Sequence, residues 1–501
     1  MKKYLALVLV LIGVLVIAFS YSNLTATPGT KLLREAGRLE RKADYFKAFD
    51  KYKMAWKELL KEENKKGADK SRIKFQGIEK ILLSYPHSAE AVIKISKDTW
   101  PGIKEERVRS WMEDGVIDSI KIAGTPYYFD DFTNTIIHQN PDLMKSGKAE
   151  SALGRYKKVS GPLFAVVFKK YYPKSWQVYT DPVNYLGKGT LDIPRDKLPK
   201  TGTFKMWIPL PVTKGPQTDI EIISIEPAKY VKTPAKIDGD IGLVYMEIPL
   251  EELKGNLKAN VQFKYKRYQQ HFRIDPKNVG EYDKESDLYK WYTASRGNIK
   301  ITPAIKKKAR EIAAGETNPY LIAKKMYYYV VEETNYSHLP HLALEVFGIP
   351  ESVYVHEKRI GDCGAQSMYF AALLRSLGIP ARTPGGWQLF PGISGGHFWA
   401  EFYLPNYGWV PADTSVGQLA KYFPGMTDTQ RKEYKAFFFA NMDAFRWTVQ
   451  EDVDVPLIPP ADEPIFLCMA IQFPAVLCDT MEEIPGIVLD EYWKMEIRPA
   501  K

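Results

Sequence analysis

The stretch RIGDCGAQSMYFAALLRSLGIPAR, residues 359–382, decides the fold that the sequence predicts. Asp362 is placed to cap a helix, because its side chain can accept hydrogen bonds from the first backbone N–H groups. Helix-forming residues continue over 365–377, and Gly378 is then well placed as a left-handed stop. The stretch therefore predicts a helix whose many apolar side chains bury it at the centre of a domain.

Cys363 falls on the first turn of this helix and is one of only three cysteines in 501 residues. The N–H groups and the positive dipole at a helix start favour a thiolate over a thiol. A buried helix whose first cysteine can still be reached is the arrangement that a thiol nucleophile needs. The other roles open to Cys363 are a metal ligand, half of a disulfide bond and a small core residue.

A base for this thiol is predicted in GGHFWAEFYLPNYGWVPADTS, residues 395–415. One alternating strand begins at His397, the chain turns at 405–408, and a second strand returns to Asp413, as in a β-hairpin. The hairpin predicts Asp413 within about one to three residues of the level of His397. A carboxylate beside an imidazole fixes its tautomer and stabilises the imidazolium. Cys363, His397 and Asp413 are thus the predicted nucleophile, base and orienting group.

These segments resemble the transglutaminase-like superfamily of thiol enzymes, with a papain-like fold, in its exported bacterial and archaeal form. The resemblance covers residues 282–450 and rests on the helix headed by Cys363, LLRSLGIPAR, H-x-W-x-E and GWVPAD, in the order found in the family. It implies a core in which this helix packs on an antiparallel sheet, with His397 as base then acid and Asp413 as orienting group. The chain departs from the commonest family pattern after Asp413, where Thr-Ser replaces Pro-Thr.

The resemblance also implies acyl transfer through a thioester on Cys363, with a protein or peptide substrate and no cofactor. The backbone N–H of Cys363 is the first candidate donor to the oxyanion, and Tyr336 is a second, because the family brings a side chain near the thiol at this position. Hydrolysis of peptide or isopeptide bonds, cross-linking to an amine, and amidase action on glycoprotein or peptidoglycan linkages all use the same residues. Hydrolysis is favoured because the sequence shows no acceptor site. A non-catalytic cell-surface binding or scaffold protein is the further alternative, although such proteins usually lack one of the three residues.

The segment PGGWQLFPGISGGH, residues 384–397, contains five glycines and two prolines, which is typical of a loop. We expect it to line or gate a substrate groove, with Trp387 as an apolar wall. An ordinary flexible loop is the alternative.

The N-terminus, MKKYLALVLVLIGVLVIAFSYSNLTA, indicates export. Two lysines precede an uncharged apolar run over 4–19, and small residues follow where a signal would be cleaved. The run is long for a signal and short for a span of about 20 residues, so residues 1–26 are predicted to be a cleaved signal peptide or a membrane anchor. The positive flank places the rest at the cell surface or in the periplasm, attached to the membrane if the segment is uncleaved.

Export makes disulfide chemistry available to Cys468 and Cys478. Both cysteines also lie in apolar strings, so pairing and simple burial are both open. If they pair, Cys363 is the thiol left over.

The whole chain is predicted as a multidomain α+β protein, because 501 residues are too many for one ordinary core. Its predicted parts are a signal or anchor (1–26), a helical region (27–96), a small winged-helix-like module (97–150), a β-sandwich-like domain (155–275), the transglutaminase-like core (282–450) and a C-terminal extension (451–501).

Two classes of ligand are disfavoured. The net charge of +10 is concentrated near the N-terminus, but the basic residues are interleaved with acidic ones and the export signal argues against nucleic acid. His338, His341, His356 and Cys363 form an alternative zinc set, yet no C-x-x-C pair accompanies them. DVDVP at 452–456 is too short and too apolar for a calcium loop. No metal site is therefore predicted.

Overall fold

The computed structural model describes residues 26–145, 150–169, 177–466 and 469–500. The apolar run predicted as a signal or anchor lies outside these ranges. Within them, no helix combines the length and the apolar character needed to span a membrane. The chain divides into two compact units, Met1–Ala89 with Ser119–Asp130 and Glu90–Asp118 with Asp131–Lys501.

The first unit packs three helices and a hairpin. These elements are α1 (Pro28–Arg41), α2 (Tyr45–Lys61), α3 (Lys65–Ser84), β1 (Ser119–Ile122) and β2 (Thr125–Tyr128). One face of α2 buries Tyr52, Trp56 and Leu59 against α3. The hairpin of the predicted winged-helix-like module belongs to the first unit and the helix at 105–113 to the second, so the module stays a prediction.

The remaining helices follow in chain order. They are α4 (Ala89–Thr99), α5 (Glu105–Glu113), α6 (Phe132–Gln139), α7 (Glu150–Val167), α8 (Asp287–Thr293), α9 (Pro303–Ala313), α10 (Pro319–Glu333), α11 (His341–Phe347), α12 (Glu351–Lys358), α13 (Cys363–Arg375), α14 (Thr414–Gln418), α15 (Asp428–Phe437) and α16 (Pro485–Tyr492). Short 3-10 helices occur at Pro141–Lys145, Arg195–Lys197, Ala228–Tyr230, Leu250–Glu252, Pro276–Asn278 and Leu419–Lys421.

Two antiparallel sheets form the predicted sandwich. Their strands are β3 (Tyr179–Ile193), β4 (Thr203–Pro209), β5 (Gln217–Glu226), β6 (Val231–Lys236), β7 (Leu243–Pro249), β8 (Leu257–His271), β16 (Asn441–Met442), β18 (Ala475–Leu477) and β19 (Trp493–Pro499). One sheet has the order β16-β8-β3-β19, with β5 also on β8, and the other has the order β18-β4-β7-β6. Alternating side chains of β4, β7 and β8 fill one apolar core between them.

The predicted C-terminal extension, residues 451–501, contributes two strands to the sandwich. β18 pairs with β4, placing Val476 opposite Met206, and β19 pairs with β3 along seven residues. Without these strands, β3 and β4 would each leave a row of backbone N–H and C=O groups unpaired at a sheet edge. Each edge gains a hydrogen-bonded strand from the end of the chain. The sandwich is therefore completed by strands that lie after the core in sequence.

The core around α13 contains the remaining strands. They are β9 (Asn335–Tyr336), β10 (Ile360–Gly361), β11 (Ala381–Arg382), β12 (Gly385–Phe390), β13 (Ile393–Phe398), β14 (Ala400–Leu404), β15 (Gly408–Ala412) and β17 (Arg446–Gln450). One antiparallel sheet has the order β11-β14-β15 and another has the order β13-β12-β17. Every residue of α13 after Cys363 is buried, so this helix is central to its domain, as predicted. The α+β fold class predicted from the sequence is confirmed.

Candidate active site

The start of α13 is built as the sequence predicts. Asp362 is its N-cap, and its Oδ1 accepts a hydrogen bond from the backbone N–H of Ala365 at 2.9 Å. Cys363 is the first helical residue and is half-buried, while Gly378 adopts a φ of +78° beyond the other end. The cap fixes the backbone that carries the thiol, because it satisfies one N–H group that a helix start leaves without an internal partner.

His397 and Asp413 meet, although not on one continuous strand. β13 ends at Phe398 and β14 begins at Ala400, so the predicted single strand is broken at Trp399. The break arises because β13 pairs with β12 while β14 pairs with β11 and β15. Ala400 lies opposite Ala412, and the next residue, Asp413, places Oδ2 at 2.8 Å from Nε2 of His397.

The Asp413 carboxylate has further buried partners. Its Oδ1 accepts hydrogen bonds from the backbone N–H of Val416 at 2.9 Å and the hydroxyl of Ser415 at 3.1 Å. Burial alone would raise the pKa of Asp413, but His397 and Arg446 lower it well below its usual range. The ionised carboxylate can only accept, so Nε2 of His397 carries a proton and Nδ1 of the neutral ring is left as the acceptor.

Arg446 is a site residue that sequence reasoning missed. Its guanidinium donates to Oδ2 of Asp413 at 2.6 Å and to Oδ2 of Asp443 at 2.7 Å, and the side chain is fully buried. Arg446 begins β17, which pairs with β12 beside the strand carrying His397. An arginine between the aromatic residues Phe445 and Trp447 was the available signal, because a buried guanidinium needs carboxylate partners.

One cavity of about 200 Å³ brings the predicted groups together. Cys363, His397 and Tyr336 all line it, and we call it the thiol cavity. Its other walls include His138 of α6 and Tyr156 of α7, which the sequence did not indicate. His138 Nε2 lies 2.7 Å from the Tyr156 hydroxyl, so this wall is internally hydrogen-bonded.

The surroundings of Cys363 favour the thiol over the thiolate. Burial, and then the charge of Asp362, raise the pKa of the Cys363 thiol well above its usual value, against the opposing effect of hydrogen bonds from the backbone of Phe398 and Gly364. Burial therefore outweighs the effect of the helix start on the thiol pKa. For this sulfur to act as a nucleophile, a base would have to remove its proton.

Asp362→Asn is expected to shift thiol reactivity to lower pH. Asparagine keeps a cap oxygen for the N–H of Ala365 but removes the charge that disfavours the Cys363 thiolate. The rate of Cys363 alkylation by iodoacetamide, measured from pH 6 to 11, should reach half its maximum at lower pH than in the wild type. An unchanged or higher midpoint would contradict this account of the Asp362 charge.

Tyr336, the second predicted donor to the oxyanion, lines the thiol cavity together with Cys363. β9 and β10 are parallel, and Tyr336 is opposite Gly361, two residues before Cys363. Burial and the neighbouring Cys363 raise the pKa of Tyr336 well above its usual value, so its hydroxyl keeps its proton and can donate. The structure thus places Tyr336 in the thiol cavity, and its role remains a proposal.

Trp387 does not line the thiol cavity, and the predicted loop around it is a hairpin. β12 and β13 pair along six residues, and Trp387 points into the sandwich core against Trp447. Gly386 lets β12 and β17 approach closely, because a Cβ at this position would collide with the carbonyl oxygen of Trp447. Trp387 is therefore a buried structural residue, and its proposed role as a substrate wall is wrong.

Trp387→Phe is expected to lower the free energy of unfolding by about 1–2 kcal/mol and leave the KM for substrate unchanged. The substitution removes the hydrogen bond of 2.8 Å from the indole N–H to the carbonyl of Gln472 and part of the core contact. Urea denaturation and substrate kinetics measure the two effects. A KM change of tenfold with unaltered stability would restore the substrate-wall interpretation.

The alternative zinc set does not converge. His338 Nδ1 contacts Asp131 at 2.5 Å, His356 Nδ1 contacts the Tyr369 hydroxyl at 3.0 Å, and His341 lies between two carboxylates. Within the described ranges, no group of three or more His, Cys, Asp or Glu side chains is arranged to hold a metal. The predicted pairing of Cys468 with Cys478 involves residue 468, which lies outside those ranges.

His341 bridges the helix cap to a second carboxylate. Its ring nitrogens lie 2.9 Å from Oδ2 of Asp362 and 2.7 Å from Oε1 of Glu351. Burial opposes the charged ring, but Glu351 and Asp362 raise the pKa of His341 well above its usual value. The resulting imidazolium offsets part of the Asp362 charge beside Cys363.

Residues 306–414 match the sequence profile of the transglutaminase-like superfamily. The matched range runs from α9 through α13 and His397 to the residue after Asp413. The chain therefore carries a transglutaminase-like domain, and the resemblance stated from its motifs is confirmed.

Two solved structures are similar to the chain. A presumed cysteine protease from Cytophaga hutchinsonii is 12% identical over 64% of this chain and 92% of that one, with a TM-score of 0.39. The periplasmic domain of TgpA from Pseudomonas aeruginosa is 11% identical over 53% of this chain and 99% of that one, with a TM-score of 0.24. Both scores are below 0.5, so neither likeness bears on the function of this chain. No curated protein sequence matches it.

Proposed function

We propose that the protein is a thiol hydrolase that cleaves peptide or isopeptide bonds through a thioester on Cys363. The observation that supports this most is the convergence of Cys363 and His397 on one cavity, with His397 held at 2.8 Å by a buried, ionised Asp413. A binding or scaffold protein has no need of a charged Asp413–Arg446–Asp443 network buried behind a histidine.

The proposed reaction uses only this chain and water. Nδ1 of His397 takes the proton of the Cys363 thiol as the sulfur bonds to the amide carbon, and the carbonyl oxygen becomes an oxyanion. The backbone N–H of Cys363 and the Tyr336 hydroxyl donate to that oxyanion. The C–N bond then breaks, and the leaving nitrogen takes the proton from His397. Water attacks the thioester, gives a proton to His397, and the sulfur leaves and recovers that proton.

A labelled peptide library, incubated with the full-length protein, tests the proposal. Hydrolysed products should appear in the wild type and disappear in Cys363→Ala, while Cys478→Ala serves as the matched cysteine control. Adding a primary amine separates the outcomes, because amine incorporation in place of hydrolysis would make the protein a cross-linking transglutaminase. Absence of any Cys363-dependent product would overturn the enzyme proposal.

The proposal includes an exported location, which rests on the N-terminal sequence alone. The basic residues and apolar run of residues 1–26 place the thiol enzyme at the cell surface or in the periplasm. Membrane fractionation with a protease-accessibility assay on intact spheroplasts measures this. Recovery of the whole protein in the cytosol, protected from protease, would contradict export.

A further inference from the structure

A second cavity, of about 330 Å³, lies beside the start of α13. It is lined by Asp362 and Gly364, the two neighbours of Cys363, and by Phe398, the neighbour of His397. His341 also lines it, and the rest of its lining comes from residue 466 and residues 469–490, so we call it the C-terminal cavity. The two cavities thus meet the catalytic residues from different sides, because Cys363 and His397 line the thiol cavity while their neighbours in sequence line this one.

The C-terminal cavity is mainly apolar, although His341, Asp362 and Asp490 also line it. Its large apolar side chains are Phe398, Phe466, Met469, Ile471, Phe473 and Leu489. Phe473 is 42% exposed, although Ile471 and Leu489 beside it are almost fully buried. An apolar hollow with an exposed phenyl ring gains free energy when an apolar group enters it.

The wall of this cavity is fixed to the catalytic strand. The side-chain amide of Gln472 donates to the backbone carbonyl of His397 at 2.9 Å. The backbone N–H of Ile471 donates to the side chain of Gln450 on β17 at 3.0 Å. The apolar wall and the base therefore keep one relative position, which a specificity pocket requires.

The proposed reaction indicates which part of the substrate, amine or acyl, lies in each cavity. In the tetrahedral intermediate the reacting carbon holds the sulfur, the oxyanion, the leaving nitrogen and the acyl chain. The leaving nitrogen must face His397, which protonates it, so the amine part occupies the thiol cavity. The acyl chain is then directed away from His397, past Gly364 and Phe398.

We propose that the C-terminal cavity is an acyl-side specificity pocket that receives a large apolar side chain on the residue whose carbonyl is attacked. The inference rests on the proposed hydrolase and deepens it by naming the substrate class. The acyl donor is a peptide with a residue such as leucine at this position. Glycine and small polar residues leave the cavity unfilled and react more slowly.

A matched pair of substrates tests this in the full-length protein. N-acetyl-leucyl and N-acetyl-glycyl amides of 7-amino-4-methylcoumarin differ only in the acyl-side side chain. The wild type should favour the leucyl amide in kcat/KM by about 30-fold, since filling an apolar pocket discriminates over this range. Phe473→Asp should reduce the preference below about 5-fold with little change for the glycyl amide, and Phe473→Leu should restore it.

Ile223→Asp is the control variant, because Ile223 on β5 is 41% exposed, almost as much as Phe473. It should keep the wild-type preference. A loss of preference in both variants would point to a general effect of the added charge and would overturn the pocket.

A capture assay distinguishes failure of the pocket from failure of the enzyme. N-acetyl-leucyl and N-acetyl-glycyl chloromethyl ketones alkylate Cys363, and iodoacetamide gives its intrinsic reactivity. Equal rates for the two side chains, with Cys363-dependent turnover of both amides, would overturn the pocket and leave the hydrolase standing. A leucyl preference in capture without turnover of any amide would overturn the hydrolase instead.

Discussion

His397→Asn is expected to lower kcat/KM by about 10³-fold or more toward any amide that the wild-type protein cleaves. The reason is the protonation state of the Cys363 sulfur. Burial and Asp362 raise the pKa of the Cys363 thiol well above its usual value, so at neutral pH the sulfur is protonated. Asparagine preserves a hydrogen bond to Asp413 but cannot accept the thiol proton during attack.

The pH dependence of the residual activity shows whether the loss is due to the missing base. Because the thiol pKa is raised, the small residual activity of His397→Asn should increase steadily from pH 6 to 10 as a thiolate forms without help. His356→Asn is the control, since His356 is also partly buried, beside the Tyr369 hydroxyl at 3.0 Å, and is expected to keep near wild-type activity. Activity of His397→Asn within tenfold of wild type at pH 7 would show that His397 is not the base.

Arg446→Met is expected to lower the free energy of unfolding by about 3–5 kcal/mol at pH 7. The methionine fills much of the same volume but leaves Asp413 and Asp443 buried with no guanidinium between them. Urea denaturation measures the loss. Arg109→Met is the matched control, because Arg109 makes an exposed ion pair with Glu105. Its replacement should lower the free energy of unfolding by less than about 1 kcal/mol.

Acid should reduce the difference between wild type and Arg446→Met. The pKa of Asp413 is lowered in the folded protein, so its contribution to stability is present above the pKa of the unfolded carboxyl and is lost as pH falls toward the folded value. At pH 3 the wild type has already lost part of this contribution. A difference that grows on acidification would contradict the role of Arg446 in holding Asp413 ionised.

Local signals in the sequence predicted the helix that carries Cys363. The cap at Asp362 and the stop at Gly378 both act within a few residues of the helix that they bound. The order of Cys363, His397 and Asp413 was also readable, because a hairpin has a simple register.

Long-range pairing escaped the sequence analysis. The break at Trp399, the burial of Trp387 and the contacts of Arg446 all depend on β12 and β17 lying side by side. Glycines at 385 and 386 indicated flexibility, yet their function is to let two strands approach closely. Nothing within either segment specifies the partner strand, so these features emerge only from the assembled sheet.

The pairing of β18 with β4 and of β19 with β3 has a consequence for the order in which the protein is synthesised and folded. A ribosome that has translated as far as residue 470 has already delivered the nucleophile, the base and the orienting carboxylate. The edge strands β18 and β19, and most of the segment that lines the C-terminal cavity, still have to emerge. The order of synthesis therefore separates the two proposed parts of the site: the residues of the proposed reaction are made early, and the proposed acyl-side pocket is completed last.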